Sequence, residues 1–88
     1  MSAGDERIVA TIFRLLERRA VGATICPSEA ARALAADEST WRGLMPEVRR
    51  VAAALADAGL LRVTAGGKAV DALRATGPIR LGRPASSD

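Results

Sequence analysis

The sequence predicts a mainly α chain with a small β-hairpin, an α+β fold in which three helices precede two strands. Apolar residues recur at helical spacing in three stretches before Gly59, the period drops to two after it, and a glycine or proline marks most of the changes. A length of 88 residues suits one small domain. We assign residues 1–83 to that domain and 84–88, the end of the chain around "PASSD", to a flexible tail.

The first helix is read from "DERIVATIFRLLERRA", where Ile8, Val9, Ile12, Phe13, Leu15 and Leu16 form one broad apolar stripe. Asp5 and Glu6 suit its positive end, Arg18 and Arg19 its negative end, and Gly22 marks the stop. Thr24 and Ile25 make a short β-branched pair. A second helix then opens at Pro27 and runs to about Ala36, turning Ala30, Ala31, Leu34 and Ala35 inward.

Trp41, Leu44, Met45 and Val48 would continue a helical stripe, but Pro46 interrupts it, and an interior proline costs about 3 kcal/mol or more. The expectation is therefore a short turn over Thr40 to Leu44 and a third helix from Pro46 to Ala58. Its Val48, Val51, Ala52 and Leu55 face inward, and Gly59 closes it. Beyond Gly59, Leu61, Val63 and Ala65 alternate with polar residues, and "GPIRLGR" alternates again, so two antiparallel strands are expected. Gly66 and Gly67 mark a turn, and Val70 and Leu73 tack the connecting loop to the body.

Helix, short strand, helix, turn, helix, strand, loop, strand is the element order of a winged helix-turn-helix: a three-helix core with a wing. In that frame the helix opening at Pro46 is the one that enters a DNA groove. Residues 1–40 hold five arginines and six carboxylates, net −1, whereas residues 41–88 hold eight cations and four carboxylates, net +4. A basic second half points to a polyanionic partner. Arg49 and Arg50 could reach base edges, Arg42 precedes them, and Lys68 and Arg74 on the wing could contact the backbone or minor groove. Ser28 and the free N–H groups at the start of the second helix could hold a phosphate.

Each of these residues also has a plain structural reading. Paired arginines can be solvated surface, Trp41 can plug the junction between helices, and Lys68 can blunt an edge strand. Two functions therefore stand side by side: a module that binds double-stranded DNA in transcriptional regulation, and an interaction module that docks a protein partner and never touches nucleic acid. Charge at the third helix discriminates them, and Glu47 at the supposed reading tip counts for the second. A monomer or weak homodimer is expected.

Catalysis finds no support. The chain has no histidine, its carboxylates sit in turns, and Gly66-Gly67-Lys68 lacks the spacing of a phosphate-binding loop, so no enzyme activity and no cofactor are expected. With one cysteine, Cys26, neither an internal disulfide nor a zinc site of the usual kind can form. The acidic start and the lack of an apolar run near the roughly 20 residues of a membrane span add to the expectation of a cytoplasmic protein that avoids membranes.

At "TICPSEAARAL", "WRGLMPEVRRVAAALADAGLLRVTAGGKAVD" and "GPIRL" the chain resembles a family of small bacterial proteins catalogued as a domain of unknown function, number thirty-two fifty-three. The resemblance spans about Ile8 to Leu81. Its most specific parts are Cys26-Pro27-Ser28-Glu29, Trp41-Arg42 with Leu44-Met45-Pro46, and Gly77-Pro78-Ile79-Arg80-Leu81. Where prolines are expected around Val70-Asp71, this chain has Ala69 and Ala72. The resemblance implies a winged-helix-like fold and a bacterial origin, and carries no established activity or site.

Overall fold

A computed structural model describes residues 2–84. Along the chain run α1 (Ala3–Glu17), α2 (Pro27–Leu34), α3 (Glu38–Asp57), β1 (Arg62–Ala65), β2 (Lys68–Ala69) and β3 (Arg80–Gly82). The fold is α+β, three helices with a small antiparallel sheet, an arrangement compatible with a winged helix. Residues 85–88 of the expected tail lie outside the described residues.

Ser2 caps α1 by accepting the Asp5 N–H at 3.1 Å, and the stripe from Ile8 through Ile12 to Leu16 is buried as its spacing predicts. α2 opens at Pro27, where the missing N–H is no loss, and the Glu29 carboxylate reaches back to accept the Cys26 N–H at 3.1 Å. Ala30 and Ala31 are fully buried, and side chains this small let α2 pack closely on α3.

The expected break before Pro46 does not occur: α3 is one helix of 20 residues with Pro46 inside it. Asp37 supplies a strong start, its carboxylate accepting the Thr40 N–H at 3.1 Å and the Ser39 and Thr40 hydroxyls at 2.7 and 3.0 Å. Trp41, Leu44 and Met45 pack against the core in the same stripe as Val48 and Val51. Pro46 and Arg42, the residue whose carbonyl it leaves without a donor, are both on the exposed side, where water can take the donor's place. The packed stripe outweighs the proline. At the other end Gly59, with φ of 77°, lets its own N–H and that of Leu60 return to the Ala56 and Leu55 carbonyls at 3.0 and 2.9 Å.

The sheet order is β2-β1-β3, both pairings antiparallel, and Ile25 adds a bridge to Leu81 on the outer side of β3. The expected pairing of the two long alternating stretches is present. The short β2 is an addition, folded back over Gly66 and Gly67, whose φ angles of 59° and 82° fit a tight two-residue hairpin turn. Val63, Leu81 and Ile79 point into the helices and complete a core with Ile12, Leu16, Ile25, Val48 and Val51. In the connecting loop Ala72 is buried and Val70 half-buried, while Leu73, expected to tack the loop down, is 63 % exposed. Asp71 explains this. Its carboxylate accepts the Leu73 N–H at 2.9 Å and its carbonyl the N–H groups of Arg74 and Ala75, so the chain makes a helix-like turn that exchanges the two faces.

Candidate nucleic-acid interface

The six candidate residues are dispersed over α2, α3, β2 and the 71–75 turn, and most are already engaged. Arg49 is the most heavily used. From α3 its guanidinium donates to three carbonyls of the following loop, Ala72 at 3.4 Å, Ala75 at 3.1 Å and Gly77 at 3.1 Å. A planar fork suits three acceptors in one short segment, and the result clips the loop onto α3.

Arg50 turns the other way. It holds the Asp5 carboxylate on α1 with two hydrogen bonds, of 3.1 and 2.5 Å, and also meets Glu47 at 2.7 Å. Asp5 is buried while Arg50 stays about half exposed, so this fork ties the start of α1 to the middle of α3 at the edge of the core. The hydrogen bonds from Arg50 hold the Asp5 carboxyl below the usual carboxylate range, and Asp5 first, then Glu47, raise the affinity of the guanidinium for its proton. In the sequence Asp5 is a residue favouring a helix start; only the fold brings Arg50 to it.

A depressed carboxyl contributes stability that is fully present above its unfolded pKa and disappears as pH falls through its folded value. The contribution of Asp5 should therefore start to decline as pH enters the ordinary carboxylate range and be gone only below it. Asp5→Asn should be less stable than the natural chain at neutral pH, and the two should converge in strong acid. Circular dichroism against pH measures this, and parallel curves would refute the coupling.

Arg42 lies one turn inside α3, paired with Glu38 at 2.9 Å and largely exposed. Its guanidinium carbon is 5.2 Å from the centre of the Trp41 ring, and that of Arg32, from α2, is 4.6 Å from the same centre. The half-buried indole thus packs on the core and gathers one cation from each of the two helices. Arg32 escaped the sequence reading because a helical arginine far from Trp41 in sequence gives no local signal. The exposed Arg74 approaches Asp71 at 3.8 Å, and Lys68 stands exposed on β2 without a carboxylate partner among the described residues. Ser28 is within 3.0 Å of the Cys26 sulfur, so the start of α2 is partly occupied by its own side chains.

Among the described residues no cluster of three potential metal ligands occurs, and no helix is long and apolar enough to cross a membrane. The fold and this surface define a small α+β domain compatible with a winged helix. The chain belongs to the family described as "Protein of unknown function (DUF3253)", whose model matches residues 5–84. No curated protein matches it.

Proposed function

We propose that this chain is a non-catalytic winged-helix module that binds double-stranded DNA through the first half of α3, as a regulatory factor in the bacterial cytoplasm. The observation that carries the reading is the placement of Arg32 and Arg42 over Trp41 at the junction of α2 and α3. A helix that enters the major groove presents its N-terminal residues to base edges, and with α3 starting at Glu38 those are Ser39, Arg42, Gly43 and Pro46. An indole that holds two guanidinium groups lowers the entropy lost when they engage phosphates or guanine. Lys68 and Arg74 supply further backbone contacts from the wing.

Fluorescence anisotropy of a labelled mixed-sequence duplex, titrated at several salt concentrations, tests it. Affinity should fall steeply with salt, and Arg32→Ala/Arg42→Ala should flatten the slope of log K against log salt by about 2. A folded chain that fails to bind even at low salt would end the reading.

A second reading has its own support. The face of α3 around Arg50 carries mixed charge, with Asp5 and Glu47 closing on the guanidinium. On the Arg49 flank of the same helix a groove of about 420 Å3 is lined by Met45, Pro46, Arg49 and the exposed Leu73. Mixed charge beside apolar surface suits a protein partner better than a phosphate backbone. Absence of DNA binding together with loss of partner capture in Leu73→Asp would favour it.

A further inference from the structure

The outer face of the sheet holds a cleft that the DNA reading does not use. Arg62 pairs with Gly82 across β1 and β3, and the bridge from Ile25 to Leu81 sets Thr24 on the other side of Gly82. Val63 and Leu81 point inward, so Arg62, Gly82 and Thr24 form a row facing out, with Thr64 and Arg80 in the next row. Gly82 does not need its glycine for backbone reasons, since its φ is not positive. A Cβ there would come within 3.0 Å of the Thr24 methyl, so the glycine, itself buried, lets the Thr24 side chain pack over the strand at the side of the cleft. The concavity measures about 430 Å3 and extends to Arg83, with Val21 and Pro84 at its rim.

Its chemistry is one-sided. Two guanidinium groups and two hydroxyls line it, and no carboxylate does. Arg62 has no carboxylate partner among the described residues, unlike Arg19, Arg42, Arg50 and Arg74. Arg80 donates through Nε to the Thr24 hydroxyl oxygen at 2.9 Å and through Nη2 to the Thr24 carbonyl at 3.0 Å. The Thr24 oxygen thereby accepts from within the protein, and its own proton is left to be donated into the cleft. Arg83 reaches the Leu16 carbonyl only at 3.5 Å, a weak bond that leaves most of its donors unused.

We infer that this cleft binds the phosphate group of a small phosphate monoester, with Arg62 as the principal contact, Arg83 and the Thr24 and Thr64 hydroxyls completing the shell, and Val21 and Pro84 covering the ligand's apolar part. A tetrahedral dianion uses donors converging from several directions, whereas a planar carboxylate is satisfied by one guanidinium fork. The volume is that of a small-molecule site. Val21, 91 % exposed, gains a role as cover for the remainder of the ligand. The inference stands apart from the DNA reading, since none of its residues belongs to the Arg32, Trp41 and Arg42 group.

Nitrogen-proton correlation spectra of the full chain, titrated with inorganic phosphate, adenosine monophosphate and adenosine, provide the test. Phosphate and the monophosphate should move the amide signals of Thr24, Arg62, Thr64 and Gly82 in a saturable way below about 10 mM, and adenosine should leave them in place. Arg62→Gln should weaken the monophosphate about tenfold while the rest of its spectrum overlays on that of the natural chain. Thr64→Val, which keeps shape and strand preference, should weaken it less. Absence of saturable shifts, equal shifts with adenosine, or binding unchanged in Arg62→Gln would overturn the inference. Shifts at these residues with duplex DNA but not with either phosphate probe would also overturn it.

Discussion

Leu81→Ala is expected to lower the melting temperature by about 15 °C or more, since about 1 kcal/mol corresponds to 4–8 °C in a domain of this size. Leu81 is fully buried at the middle of β3, and its backbone exchanges hydrogen bonds of 2.7 and 2.8 Å with Ile25 while pairing with Val63 on the other side. Its side chain is inserted fully into the core that the sheet shares with the helices. Truncating a leucine at such a site costs about 3–5 kcal/mol, the lost transfer free energy plus the cavity left behind. A chain of this length has a total stability of only about 4–13 kcal/mol. Leu81→Met, close in volume, should cost less than about 1.5 kcal/mol. Thermal unfolding followed by circular dichroism compares the three chains, and a loss of only a few degrees in Leu81→Ala would mean that the sheet is not part of the cooperative unit.

The second large effect is expected at Arg49. Arg49→Ala removes three charge-assisted hydrogen bonds and leaves the Ala72, Ala75 and Gly77 carbonyls to water. Because the contact is only partly buried, the loss should be about 2–3 kcal/mol, less than three fully buried bonds would total. The effect should be uneven along the chain, with amide exchange accelerating most over residues 72–77. Arg49→Lys should recover little, since one ammonium cannot serve three acceptors set out along a fork. Uniform loss of protection across the core, with no excess in the loop, would contradict the clip. This prediction also bears on the binding assay: removing Arg49 and Arg50 together would disturb both the loop and the α1 to α3 ion pair. Loss of DNA affinity in that variant would report on folding as much as on contact, which is why Arg32 and Arg42 are the informative pair.

The two mispredicted stretches share a cause. At Pro46 and Leu73 the local rule, proline as a helix breaker and an apolar repeat as a buried one, is overridden. In α3 the competing influence is the stripe from Trp41 to Val51 packed on the core, and at Leu73 it is the turn that Asp71 imposes. Neither competitor is visible until the neighbouring elements are in place.

Patterning in the sequence alone determined α1, α2 and the second half of α3, the start and stop residues Pro27 and Gly59, the inward set Val48, Val51, Ala52 and Leu55, and the antiparallel pairing of the strands after Gly59. These follow from interactions within a few residues and from the periods of 3.6 and 2 that burial of one face requires. The pairing of Asp5 with Arg50, the clip from Arg49 to the loop, the meeting of Arg32 and Arg42 on Trp41, and the cleft beside Arg62 and Thr24 were decided by tertiary structure. Each joins residues from different elements. A charged side chain reads alike in sequence whether water, a carboxylate or three carbonyls surround it, and only the packed fold chooses among them.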